Sequence, residues 1–191
     1  ANISEVALPN LDLEHYHHVY LLLLRATTGT ILSESEFQDH LEGARLRSVS
    51  DHSYRAHIER GVSLHYRQWW HLHNEREKFR IEWKRFFSDY DILLCPVAAS
   101  TAFPHDHGGE RPDRTIPING KPEAVVDQLF WAGITTLARL PSSVIPVGTA
   151  ADNLPCGLQI ITDYLEDYTA LEFAGLAEQT LGGFMPPSGF H

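Results

Sequence analysis

The sequence predicts an α/β fold, with about three strands, near 91–97, 143–147 and 157–161, flanked by about six helices. Two observations carry that prediction. From Ser53 to Phe87 apolar residues recur at three- and four-residue steps, which is the helical period. Later in the chain, proline and glycine cut short apolar runs into strand-length pieces, at Pro141, Pro146, Gly148, Pro155 and Gly157.

With 191 residues, of which 43% are apolar and 10% aromatic, the chain is large enough to bury a core without staples. Its formal net charge of -10 argues against nucleic acid, which rewards basic grooves, and against anionic membrane surfaces. Val19–Leu24, the longest wholly apolar run, is far too short to span a bilayer. No signal peptide opens the chain, and Cys95 and Cys156 sit in apolar strand-like surroundings, so buried free thiols in a reducing, cytoplasmic setting are expected. Ala1 stands where an initiator Met would, as in a fragment or a processed chain. The organisation is read as one partial domain over 1–191, with 1–88 mostly helical, 89–181 carrying strands and helices, and 182–191 a loose tail.

After a Pro9 turn, Leu11–Ala26 reads as a Leu- and Tyr-rich helix, ended by Thr27, Thr28 and a left-handed cap at Gly29. Ser33 and Ser35 are candidate N-caps of a second helix that stops near Gly43 or soon after. Ser53–Phe87 is helical with a break at Gly61; Val62, Tyr66, Trp69, Leu72, Phe79, Trp83 and Phe86 form its core stripe. Asp91–Val97 is a strand. His105–Pro122 mixes Pro and Gly with charges and reads as a loop with a tight turn at Asn119-Gly120. The next helix ends near Arg139, because Pro141 cannot donate to a helix and disfavours helical geometry at Leu140. Strands Ser143–Val147 and Gly157–Ile161 follow, joined by a turn through Gly148–Asn153; Pro146 inside the first demands an edge, a strand end or a bulge. Asp167 is a candidate cap for a closing helix through Leu181, with Leu171, Ala174, Ala177 and Leu181 on one side.

Three pieces of this pattern fall in a fixed order: Leu140-Pro141, then Val144-Ile145-Pro146-Val147-Gly148, then Leu154-Pro155-Cys156-Gly157-Leu158-Gln159. In that register the chain resembles the carboxy-terminal region of the amidase signature family, firmly over Phe86–Gln179 and loosely over Leu8–Arg85. The resemblance implies the carboxy-terminal part of an α/β/α sandwich and an enzyme that cuts an amide to a carboxylic acid plus ammonia or amine. It also implies a catalytic lysine and two serines in a Gly/Ser-rich loop, in which a neutral lysine takes a proton through the bridging serine. No such loop occurs here, and none of Lys78, Lys84 and Lys121 precedes one. No catalytic residue is therefore assigned, and the separate chain is expected to be inactive. Ser142-Ser143 is read as packing where a strand enters the sheet, because no base is evident for either hydroxyl.

The resemblance implies that the helix before Leu140-Pro141 and the strand after it wall the substrate pocket, with Trp131 and Thr135, four apart, and Asp127 as substrate-binding candidates. The plainer reading makes Trp131 core and Asp127 an ordinary helix-start carboxylate. Arg139 stands where the family usually has glycine, and Thr136 where asparagine is common. Twelve histidines invite a metal, as His15/His17/His18, His71/His73 or His105/His107, but no third and fourth ligand at familiar spacing accompanies any of them. No metal and no cofactor are assigned, and half-exposed histidines that titrate near neutrality are the default. The partners implied are a small-molecule amide in the intact enzyme and either a second copy or the absent amino-terminal portion. The alternative is a non-catalytic binding or assembly module derived from the same family.

Overall fold

The computed structural model describes residues 2–151, 153–186 and 189. Asp152 of the expected turn, Pro187, Ser188, Phe190 and His191 of the expected tail, and Ala1 lie outside the described residues. Two compact units are present, one of residues 1–86 with 136–138 and the other of residues 87–135 with 139–191.

The first unit holds helices α1 (Leu13–Thr28), α2 (Glu34–Leu46), α3 (Tyr54–Val62) and α4 (Tyr66–Phe86). Asp12 starts α1 by accepting from the backbone N–H groups of Glu14 and His15. The helix runs on past Gly29 into a 3-10 turn, Gly29–Ile31, so the expected left-handed cap is absent: Gly29 has φ -66°. Ser33 starts α2 with a reciprocal capping box to Glu36. The break between α3 and α4 falls at Ser63–His65, just after Gly61 rather than at it.

Of the aromatic stripe, Phe79, Trp83 and Phe86 are buried, whereas Tyr66 at the start of α4 is 75% exposed. Trp83 Nε1 donates to the Tyr16 hydroxyl at 3.2 Å, giving two buried polar rings one shared partner. Burial drives the Tyr16 phenol well above its ordinary range. Arg47 reaches from the end of α2 to Glu59 on α3 by two bonds, of 2.7 and 3.0 Å, and to Asp51 at 3.1 Å.

The second unit is built on a three-stranded antiparallel sheet, β1 (Leu93–Pro96), β5 (Pro155–Ile161) and β4 (Ser142–Thr149), in that spatial order. A separate hairpin of β2 (Thr115–Ile118) and β3 (Lys121–Ala124) takes over the later part of the irregular loop expected over 105–122, whose earlier part, 105–110, is irregular. Asn119 and Gly120 both take positive φ, the backbone a two-residue hairpin turn requires, so the turn dipeptide was the usable signal. Its strands are proline-bearing, and they are paired with each other through Pro117 and Pro122.

A 3-10 turn (Val125–Gln128) leads into α5 (Leu129–Ala138), and α6 (Asp167–Leu181) closes the chain against β4 and β5. Glu166, not Asp167, occupies the N-cap position of α6. Ile145, Ile160 and Ala170 form the buried centre, with Ile92, Leu158, Phe173, Ala174 and Ala177 packed on it. The inward face of α6 therefore runs through Ala170, Phe173, Ala174 and Ala177, while Leu171 and Leu181 are more than half exposed. Thr162 ties the end of β5 down: its N–H donates to the Pro141 carbonyl and its hydroxyl to the Glu166 carbonyl. Among the described residues no helix is long and apolar enough to cross a membrane.

The contact between α1 and α3 depends on the missing side chain of Gly61. A Cβ there would stand 2.4 Å from Arg25 Cβ and 2.9 Å from the Leu22 carbonyl oxygen, and the backbone oxygen cannot swing aside. Overpacking of this kind costs roughly 1–3 kcal/mol, more than the gain of ~1 kcal/mol in helix propensity. Gly61→Ala is expected to lower the urea midpoint and Tm, as read by circular dichroism.

Candidate functional site

The proline-punctuated segment has the geometry its sequence demands. β4 is an edge strand, and Pro146 sits on it opposite Gly157 of the central strand β5. The register shifts between Pro146 and Gly148, so the ring without an N–H lies both at an edge and beside a bulge. Gly157 is needed for close approach: a Cβ there would meet Val144 Cγ1 at 3.0 Å and Val97 Cγ2 at 3.3 Å. Gln159 follows two residues later, 7% exposed, with Cys95 and Val144 as its neighbours across the two ladders. Its Nε2 donates to Cys95 Sγ at 3.4 Å, and burial pushes that thiol up from its ordinary range. Both cysteines are free and half-buried.

Of the three pocket candidates, Trp131 and Thr135 lie one turn apart on α5 and Asp127 lies in the 3-10 turn before it. Trp131 is half-buried and packs edge-to-face on Phe130 at 5.4 Å. Thr135 is 8% exposed, and its hydroxyl donates back to the Ala132 carbonyl at 3.4 Å. Asp127 is exposed as a residue, although crowding around its carboxyl raises it above the usual carboxylate range. Sequence reasoning passed over Gln128, whose Oε1 accepts from Ala99 N–H at 2.8 Å and so ties the loop after β1 to this turn. No periodicity marks such a contact, because its partner lies 29 residues away.

Arg139 explains its own position. It has φ 61°, and Leu140 N–H donates to the Thr135 carbonyl at 3.0 Å, closing the six-residue ring that ends a helix in a left-handed residue. That is where glycine would be unstrained, and here an exposed arginine takes the conformation instead. Ser142 and Ser143 lie in the ladder opposite Ile161 and Ile160, and among the described residues no hydrogen bond joins either hydroxyl to a base.

The histidines meet in one place that spacing did not indicate. His18 Nδ1 and His57 Nε2 are 2.8 Å apart, and His57 Nδ1 is 2.9 Å from the Ser53 carbonyl. A carbonyl only accepts, so His57 carries its proton on Nδ1, and its Nε2 accepts from His18. Burial, then the neighbouring His57, His15, His52 and Arg60, hold His18 down at about 4, and burial lowers His57 as well. Among the described residues no group of three or more His, Cys, Asp or Glu could hold a metal ion.

A helix ended by Leu140-Pro141, an edge strand broken at Pro146 and a central strand carrying Gly157 and Gln159 thus occur together in an α/β protein, in the order of the sequence pattern. The chain belongs to the amidase family, whose model, described as Amidase, matches residues 1–171. It is 31% identical over 108 residues to a glutamyl-tRNA(Gln) amidotransferase subunit of Brevibacillus brevis, covering 53% of this chain and 19% of that one. The corresponding polypeptide of Treponema pallidum is 33% identical over 99 residues, covering 52% and 18%. The chain thus spans about a fifth of the length of the curated relatives it matches. Among solved structures, one described as an amidase superposes with a TM-score of 0.64 at 24% identity, covering 91% of this chain and 37% of the other. A bacterial aryl acylamidase gives 0.62 at 18%, covering 91% and 35%. At these identities the structures establish the fold alone.

Two measurements test this geometry. Because the unfolded histidines titrate near ~6.5 and the folded pair lower, the unfolded chain binds more protons between those values. Stability is expected to be complete above about pH 6.5 and to fall as the pH drops towards 4, with Tm in His18→Gln falling less steeply over that window. Arg139→Gly relieves the left-handed residue and is expected to raise stability by up to about 1 kcal/mol in urea titration.

Proposed function

We propose that this chain is the carboxy-terminal part of an amide hydrolase that converts an amide and water to a carboxylic acid and ammonia or an amine. The observation that carries the reading is the pairing of β4 with β5 in a register that sets Pro146 opposite Gly157 and Val144 opposite Gln159, within a chain matched to the family over residues 1–171. In this reading the chain supplies sheet and pocket wall, while the reactive lysine and serines belong to residues outside it. The match to about a fifth of the relatives' length supports that division, as does the lack of a Gly/Ser-rich loop in the sequence.

Trp131, Thr135 and Asp127 are proposed to line the acyl side of the substrate. Trp131 would give apolar area; the Thr135 hydroxyl is already bonded within its helix and would act through shape. Asp127, raised by its surroundings, would face the more polar end. The edges of β1 and β4, with Leu94, Val97, Val144 and Val147 each more than a third exposed, support pairing with the amino-terminal portion or with a second copy. Several relatives are named as subunits, which supports a partner chain.

The separate polypeptide is expected to give no turnover of a simple aryl or aliphatic amide above the uncatalysed rate. Turnover that disappears in Ser142→Ala or Ser143→Ala would overturn the division of labour. When the amino-terminal portion is supplied, Trp131→Ala is expected to raise KM about tenfold, or ~1.4 kcal/mol, with a smaller change in kcat, because lost apolar contact weakens ground and transition states alike.

A further inference from the structure

The loop after β1 and the β2–β3 hairpin line an open cavity of 380 Å³ that the amidase motifs do not touch. That volume is in the range of small-molecule sites. Its lining divides by chemistry. Arg111 and Arg114 supply two guanidinium groups, while Phe103, Ile116 and their neighbours supply an apolar wall, of which Ile116 is 4% exposed. His105 and His107, edge-to-face at 5.9 Å, complete the rim.

The charge in this cavity runs against the rest of the molecule. The chain as a whole carries -10, yet the described lining residues include two arginines and one carboxylate, Asp106. Asp106 is also committed locally, since its Oδ1 accepts from Gly108 N–H at 2.8 Å. Arg114 is held by neutral acceptors: its Nε donates to the Gly108 carbonyl and its Nη2 to the Gly109 carbonyl, both at 3.1 Å. Those bonds hold the guanidinium through neutral carbonyl oxygens, which do not themselves neutralise its charge. A planar cation held in place beside a second one suits a planar anion bound through paired N–H groups.

We propose that this cavity binds a carboxylate with an apolar body, its head between Arg111 and Arg114 and its body against Phe103 and Ile116. The site is distinct in residues from Asp127, Trp131 and Thr135, and the proposal does not require that the chain take part in catalysis. An inorganic anion would use the arginines and leave the apolar wall bare. A neutral molecule of the same shape would use the apolar wall and bring no opposite charge to the arginines.

Benzoate is the probe, titrated into the 191-residue chain by calorimetry, with benzyl alcohol as the neutral molecule of similar shape and inorganic phosphate as the anion without a body. Benzoate is expected to bind at least about tenfold more tightly than either, and to shift the imidazole resonances of His105 and His107. Arg111→Gln, which leaves the Arg114 bonds to Gly108 and Gly109 in place, is expected to weaken benzoate about tenfold with Tm unchanged. Arg114→Lys keeps the charge but not the fork and is expected to weaken it too. Equal binding of benzyl alcohol, preference for phosphate, undiminished benzoate affinity in Arg111→Gln, or no benzoate binding at millimolar concentration would each overturn the proposal.

Discussion

The strand-bearing unit depends on β5 being paired along both edges. Gln159 shows what that entails: it lies between Cys95 and Val144, so its side chain emerges into the interior and must find a partner there. The available partner is a thiol, a weak acceptor, and the contact at 3.4 Å keeps a buried amide from being wholly unsatisfied. Two positions along, the same crowding makes a side chain at residue 157 a tight fit, since the methyls of Val144 and Val97 would have to give way by a few tenths of an ångström. Glycine and glutamine are thus two answers to one condition, that a central strand has neighbours everywhere. Proline answers the opposite condition on β4, where one edge is unpaired and a missing N–H costs nothing.

In the helical unit the same economy of space operates with different residues. Gly61 lets α3 approach the Leu22–Arg25 turn of α1, and Gly43 brings α2 against Glu59, which Arg47 clasps. Close approach then delivers polar groups into partly dry surroundings, where Tyr16 is met by Trp83, and His57 by His18 and the Ser53 carbonyl. The histidine pair is held in neutral form by that arrangement. Burial comes first for both rings, and the neighbouring His57 lowers His18 further.

Much of this was legible in the sequence where local rules decide. The Leu140-Pro141 break, the three sheet strands and the Ser33 cap follow from dihedral and hydrogen-bond constraints that act within a few residues. The hairpin at 115–124 was obscured because Pro117 and Pro122 argue against strand when judged singly. Paired with each other in a two-stranded ribbon, both can sit where no ladder bond is needed. Gly29 misled for a similar reason: glycine permits a left-handed cap but does not impose one, and the 3-10 turn that follows kept the helical sense. The carboxy-terminal helix was placed well in extent and half in face: Ala174 and Ala177 pack on the core as expected, joined by Ala170 and Phe173, while Leu171 and Leu181 stay exposed. Helical period alone cannot choose between two apolar stripes when the sheet beneath is unseen. The histidine contact and the Gln128 tether were illegible, being tertiary pairings across 39 and 29 residues.

The composition of the two edges bears on what the unit is for. Proteins that leave a strand edge in water guard it with charge, a bulge or proline. β4 has proline and a bulge but only at its far half; its first residues, Ser142 to Ile145, are free of charge, and Val144 is half exposed. Leu94 on β1 and Val97 just past its end are each over a third exposed, again without a charge between Ile92 and Ser100. An edge protected against wrong partners over half its length and left apolar over the rest is what one expects of a strand with a specific neighbour. The exposed apolar side of α6, through Tyr168, Leu171 and Leu176, extends the same condition to the layer above. On the function proposed above, these apolar stretches of edge and helix are where further polypeptide would pair.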